Sequence, residues 1–148
     1  MRFTTKTEYG LVCLIYLAKH SELQPITVKE LVRGEQFSPT FTEKIMQQLK
    51  AAKIVTSYQG NQGGYVLARN PAEVTLRDII EALEGSTFEV FCEPTIRKDI
   101  VCTHYPMCEV SPVWYKTKEL LDRFFNGISL EMLAKRDCNW KELPFSAA

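Results

Sequence analysis

Residues 27–67 read TVKELVRGEQFSPTFTEKIMQQLKAAKIVTSYQGNQGGYVL, and this stretch decides the fold. It opens on Thr27-Val-Lys-Glu30, a capping box in which the Thr and Glu side chains satisfy each other's free backbone N–H groups and start a short helix. Gly34 stops that helix. Ser38-Pro39 begins another, with Ser as N-cap and Pro at the first helical position, running through Phe41, Ile45, Met46 and Leu49. Two β-rich runs, Ile54–Tyr58 and Tyr65–Leu67, then bracket Gln-Gly-Asn-Gln-Gly-Gly, which predicts a hairpin with a Gly-rich tip. These glycines do not form a phosphate-binding loop, because no Lys-Ser/Thr follows them and no helix is there for a phosphate to cap.

Upstream, residues 7–19 read TEYGLVCLIYLAK, with Tyr9, Val12, Cys13, Tyr16 and Leu17 at helical spacing and Leu11, Leu14, Ile15 and Ala18 widening the stripe. This predicts a buried first helix, in which Cys13 is a packed, inert thiol. Glu8 lies at its start, where a carboxylate suits the helix dipole. A long apolar helix, two short helices and a hairpin, in that order, make a winged helix-turn-helix: a mainly α fold with a small β-hairpin.

Downstream, Thr75-Leu-Arg-Asp78 caps a helix whose apolar face is Leu76, Ile79, Ile80 and Leu83 and whose end is Gly85. Ser111-Pro112 opens a longer helix ending at Asn126-Gly127. Its Val113, Tyr115, Leu120, Leu121, Phe124 and Phe125 are more apolar than one small core needs, which points to a homodimer face, with packing back on the first helix as the alternative. Ser129–Lys135 forms a last short helix. The chain thus divides into a DNA-binding unit at 1–85, a cysteine loop at 86–111, a dimerisation helix and short helix at 112–136, and a tail at 137–148 whose Cys138 has no assigned role.

Three of the five cysteines lie in that loop, CEPTIRKDIVCTHYPMC at 92–108, with nine residues between Cys92 and Cys102 and five between Cys102 and Cys108. Pro94 and Pro106 and the lack of any helical or strand period mark it as irregular. Thiolates are soft ligands suited to iron–sulfur clusters, zinc or copper, and a loop can wrap such a centre. Three thiols leave a fourth ligand to come from elsewhere. The tight two-residue gap of zinc fingers is absent. On spacing alone, a metal centre and three structural or redox-active thiols both stand.

A hydrophobic content of 45% with 24% charged residues, over 148 residues, describes a chain that buries a core and argues against disorder. The net charge is zero, yet residues 1–70 carry nine Lys/Arg against five Asp/Glu and residues 71–148 nine against thirteen. A basic front and an acidic back suit a DNA-binding head with a sensing or dimerising rear. The opening MRFTTKTEYG has no apolar signal core, and no stretch reaches the roughly 18 apolar residues of a membrane span, so a cytoplasmic protein is expected. In that reducing compartment cysteines serve metal binding or redox sensing better than a disulfide framework.

The opening MRFTTKTEY, Phe41-Thr-Glu-Lys-Ile45, Gly60-Asn-Gln-Gly-Gly-Tyr-Val-Leu-Ala-Arg69 and the three loop cysteines together resemble the iron–sulfur winged-helix regulators of the IscR, NsrR and RirA family over roughly residues 1–135. The resemblance implies a homodimeric transcription factor on a pseudo-palindromic operator that reads iron, redox or nitric oxide status through a cluster, 2Fe-2S on family grounds, with 4Fe-4S compatible with the spacing. It implies Cys92, Cys102 and Cys108 as ligands. It places the helix from Ser38 and Pro39, with Thr40, Phe41, Glu43 and Lys44, in the major groove, and Gln59, Gly60 and Asn61 at the minor groove or backbone. Arg2, Lys6, Lys44 and Lys50 are candidate phosphate contacts. For the fourth ligand Glu8 ranks first, supplied by the other subunit as in the NsrR branch; His104 is second and Glu43 third. The chain departs from the family pattern in its first cysteine gap, commonly five to seven residues. It has Ser111 where some relatives have a histidine, and Gln59 where an arginine often begins the wing tip. The nearest alternative is a cluster-free switch in which Cys102 and Cys108 form a disulfide. A cysteine-dependent enzyme with His104 as base is remote, since no orienting or oxyanion group is evident, and neither a membrane nor a small-molecule substrate is expected.

Overall fold

The computed structural model of the chain describes residues 3–20, 24–33, 35–90, 102–104 and 107–136. Gly34, Arg2, Cys92 and the tail with Cys138 lie outside them. The capping box at Thr27 forms: its Oγ1 accepts the Glu30 N–H at 3.2 Å while Glu30 Oε2 accepts the Thr27 N–H at 2.8 Å. It opens helix α2, Val28–Leu31, which follows α1, Thr5–His20. Helix α3, Pro39–Ala51, starts as its sequence requires, with Ser38 Oγ accepting the Phe41 N–H and Pro39 in the first turn. It buries Thr42, Ile45, Met46 and Leu49 against α1.

Strands β1, Val55–Tyr58, and β2, Gly64–Leu67, pair antiparallel, with Val55 opposite Leu67 and Tyr58 opposite Gly64. A further bridge joins β2 to the residue before the α2 cap: Ile26 donates to Tyr65 O at 2.9 Å and Tyr65 donates to Ile26 O at 2.8 Å. The pairing of Gly64 with Tyr58 is why β2 starts one residue earlier than the β-rich run suggests. A Cβ on Gly64 would sit 2.6 Å from the Ile26 carbonyl, so only glycine admits this approach.

Helix α4, Leu76–Glu84, carries the second capping box, between Thr75 and Asp78, and ends at Gly85 in the left-handed conformation (φ 89°). Helix α6, Leu130–Lys135, is tied to its start by paired bonds between Leu76 N and Ile128 O and between Leu130 N and Val74 O, each 2.8 Å. One core joins Cys13, Leu14 and Leu17 of α1 to Ile45, Met46 and Leu49 of α3, Ile79 and Leu83 of α4, and Leu130 of α6. Each such fully buried aliphatic side chain contributes about 1.5–3 kcal/mol. Cys13 belongs to this core as expected: burial, then the nearby Glu35 charge, pushes its thiol up to about 11, leaving it unreactive at neutral pH.

Helix α5, Ser111–Asn126, differs from expectation at two points. Ser111 lies inside the first turn, and Val110 occupies the cap position with no side-chain hydrogen bond. Phe125, expected on the dimer face, is instead buried in its own subunit, with its ring edge-on to Phe3 at 6.0 Å. It packs inward because the last turn of α5 rotates it toward the start of α1. Val113, Trp114, Tyr115 and Leu120 remain exposed, so the outward apolar face lies on the first two-thirds of α5; Leu121 and Phe124 are half-buried. The inner face is held by Asp122, which accepts from Thr87 Oγ1 and from Lys118 Nζ at 3.2 Å, with the Arg77 guanidinium of α4 at 3.7 Å. No described helix is long and apolar enough to cross a membrane.

Candidate nucleic-acid interface and thiol loop

The N-cap at Ser38 exposes the first turns of α3 while Thr42, Ile45, Met46 and Leu49 anchor its other face. Ser38, Pro39, Thr40, Phe41 and Lys44 are all solvent-facing. The wing tip is exposed as well: Gln59, Gly60 and Asn61 form a turn closed by Gly63 N donating to Gly60 O at 2.9 Å, and Gly60 takes a φ of 107° that disfavours any other residue. Lys50 donates to Ser57 Oγ at 2.6 Å, joining the end of α3 to β1. Lys6 is half-buried near the start of α1, and Arg2 lies outside the described residues. A helix edge beside a projecting hairpin, both solvent-facing, is the geometry that enters a groove and flanks it.

Glu43, expected both among the DNA contacts and as third-ranked metal ligand, is half-buried and already engaged. Its Oε1 accepts from Tyr65 OH at 2.6 Å and from Gln47 Nε2 at 2.9 Å, and Gln47 Nε2 also lies 2.8 Å from the Tyr65 oxygen. Burial, then the hydrogen bond and charge of Glu43, holds the Tyr65 phenol well above its ordinary range. Sequence reasoning did not single out Tyr65 for a role. The available signal was a tyrosine in a buried strand register, because a buried phenol seeks a polar partner.

Glu8 is exposed on the first turn of α1, and its carboxylate has no hydrogen bond or ion pair among the described residues. Its neighbour Tyr9 stacks on Phe37 with centroids 3.6 Å apart and meets Phe41 edge-on at 5.7 Å, so α1 touches the entry to α3 through three aromatic rings. The N-terminus of α1 is held from α4: Glu84 Oε1 accepts from Thr4 N at 2.9 Å, Thr4 Oγ1 at 2.6 Å and Thr7 Oγ1 at 2.5 Å. Burial opposes ionisation of Glu84, but these hydrogen bonds outweigh it and hold its carboxyl below the usual range. No sequence motif flagged this contact, whose partners lie 77 and 80 residues apart.

Cys102 and Cys108 are both free and half-buried, and His104 is exposed between them. Two unpaired thiols in irregular chain just before α5 are donors that suit a soft metal, so the donor chemistry fits an iron–sulfur centre. Among the described residues no three or more His, Cys, Asp or Glu side chains gather closely enough to hold a metal ion, and Cys92 lies outside them.

A model of the Rrf2 family, described as an iron-dependent transcriptional regulator, matches residues 3–136. CymR of Bacillus subtilis is 38% identical over 138 residues, covering 90% of each chain. Its solved structure, described as that of the global cysteine regulator, superposes with a TM-score of 0.74 over 92% of this chain and 98% of that one, at 28% identity over the structurally paired residues. The IscR structure from T. potens superposes with a TM-score of 0.67 at 26% identity, covering 96% of this chain and 91% of that one. CymR of Staphylococcus aureus, solved in an oxidised form, gives a TM-score of 0.67 at 27% identity, over 91% and 97%.

Proposed function

We propose that this chain, which belongs to the Rrf2 family of DNA-binding transcriptional regulators, acts in the cytoplasm as a homodimer whose operator binding is governed by an iron–sulfur cluster. Cys92, Cys102 and Cys108 would hold the cluster together with Glu8 of the opposite subunit; 2Fe-2S is the expected type. When bound, such a cluster supplies a redox-active, chemically labile centre. The exposed edge of α3 beside the projecting wing carries the DNA reading. The Glu8 carboxylate, unpaired among the described residues and next in the chain to Tyr9 of the Tyr9–Phe37–Phe41 stack, supports the coupling.

In this reading the labour divides as follows. Ser38, Pro39, Thr40, Phe41 and Lys44 face the major groove, and Gln59, Gly60 and Asn61 face the flanking backbone or minor groove. Dimerisation uses Val113 and Leu120, with the half-buried Leu121 and Phe124 at the margin of that face. A shift at Glu8 moves the start of α1, and Tyr9 passes that shift to Phe37 and Phe41. Paired recognition helices must lie about 34 Å apart to read two half-sites, so a small displacement changes affinity.

The DNA reading is tested by selecting duplexes from a random pool and measuring affinity against salt. Each phosphate contact contributes close to one unit of log–log slope, so Lys44→Ala should lower the slope by about one. Binding that does not change with salt would reject the reading.

A cluster-free thiol switch is the second reading. It is favoured by the free, half-buried Cys102 and Cys108, and by the likeness to CymR, a relative of which was solved in an oxidised form. In it the two thiolates would close a disulfide under a two-electron oxidant, in place of a cluster.

A further inference from the structure

We propose that the phenol of Tyr65 is a positioning residue that locks the wing to α3, so that helix and wing meet DNA as one rigid surface. The proposal rests on the DNA reading above and extends it to a residue that reading does not use. A hairpin of two four-residue strands has little orientation of its own and must take it from its neighbours. Tyr65 supplies three attachments at once. Its backbone is doubly bonded to Ile26, ahead of α2. It pairs with Ser57 across the hairpin. Its ring, only 4% exposed, carries the hydroxyl across to α3.

There the hydroxyl donates to Glu43 Oε1 at 2.6 Å and meets Gln47 Nε2 at 2.8 Å, while Gln47 donates to the same Glu43 oxygen at 2.9 Å. Glu43 and Gln47 are four residues apart and share one helix face, so the three groups close a ring between strand and helix. Of the other ties between them, Ile54 N–H to Leu49 O holds only the foot of the hairpin, and Lys50 to Ser57 is exposed and open to competition from water. The wing tip lies four to six residues before Tyr65 along the chain, so a small rotation at the lock becomes a large displacement at Gln59, Gly60 and Asn61. Glu43 thereby serves the fold, its charge turned toward two donors instead of standing free beside a polyanion.

The test uses the full chain and Tyr65→Phe, which keeps the ring and removes only the lock. In the free protein, amide exchange over residues 55–67 should quicken about tenfold while that of α1 is unchanged. Glu43→Leu should reproduce the effect and covers the case in which Tyr65→Phe fails to fold; Glu43→Gln, which retains an acceptor for the phenol, should not. On a duplex selected with wild type, Tyr65→Phe should lose about tenfold in affinity, about 1.4 kcal/mol, with binding to a random duplex unchanged. Combined with the Gln59→Ala/Asn61→Ala wing tip, that loss should shrink, as expected of coupled sites. Unchanged exchange in the wing overturns the lock, and so does an equal loss on selected and random duplexes or a loss additive with the wing-tip change. If wild type enriches no duplex, the DNA reading fails, and the exchange measurement still decides the lock.

Discussion

Replacing Glu84 by alanine removes the carboxylate that closes the N-terminus of α1. The cost can be worked from three bonds. Thr7 is 3% exposed, so its hydroxyl loses its partner without gaining water, at about 1–3 kcal/mol. The Thr4 N–H and hydroxyl are exposed and water replaces Glu84 there, so those bonds contribute little beyond a cap. The charge itself adds little net, because Glu84 stands both at the N-terminus of α1, where a negative charge is favourable, and at the C-terminus of α4, where it is not. The expected destabilisation is therefore about 1–3 kcal/mol, or a urea midpoint lower by about 1 M at the usual slopes. Glu84→Gln keeps an acceptor and should cost about 1 kcal/mol. The pH dependence has a definite sign. The folded-state pKa of Glu84 is depressed, so its contribution is fully present above the unfolded carboxylate range and is lost as pH falls through the lower folded value. The gap between wild type and Glu84→Gln should accordingly narrow in acid. Urea denaturation of the three proteins at pH 7 and at successively lower pH measures both effects. An alanine variant within about 0.5 kcal/mol of wild type, below the cost of one lost hydrogen bond, or a gap to Glu84→Gln that does not narrow, would refute the reasoning.

Gly64→Ala would drive a Cβ to 2.6 Å from the Ile26 carbonyl, which is backbone and cannot step aside; a loss of at least about 1–3 kcal/mol is expected in thermal unfolding, with the wing amides exchanging fastest. Leu120→Asp places a charge on the outward face of α5, and sedimentation at micromolar concentration should show a dimer for wild type and a monomer for the variant. Tyr9→Ala removes the ring between Phe37 and Phe41; beyond its lost burial, the two aromatic pairs account for about 0.5–1.5 kcal/mol each, and specific duplex affinity should fall with stability.

Local chemistry was legible along the chain because its signals are local. Both capping boxes, the Ser38-Pro39 start, the Gly85 stop and the Gly-rich wing read directly into structure, since each is decided by residues close together in sequence. What escaped depends on distant partners. Glu43 reads as an exposed polar residue of a recognition helix until Tyr65, 22 residues on, folds over it. Glu84 reads as the polar end of a helix until Thr4 and Thr7 arrive from the other end of the domain. Phe124 and Phe125 are adjacent and equally apolar, and nothing local foretells that Phe3 packs edge-on against the second of them, which is buried while its neighbour is half-buried. Ser111-Pro112 resembles a cap, yet Val110 already occupies that position without a side-chain acceptor. In the candidate site, the α3 and wing-tip residues expected to meet DNA are exposed except Glu43, and Lys6 is half-buried; neither that nor the half-buried state of the two described loop thiols is legible from local sequence.

The most direct measurement is an anaerobic visible spectrum with iron and acid-labile sulfide counts, taken on wild type and on Glu8→Ala after reconstitution. The expected result is a coloured wild type holding iron and sulfide in equal amounts, with absorption bands altered by the substitution. A colourless, iron-free wild type would contradict the cluster and leave the Cys102–Cys108 switch. Bands identical in Glu8→Ala would remove Glu8 as the fourth ligand.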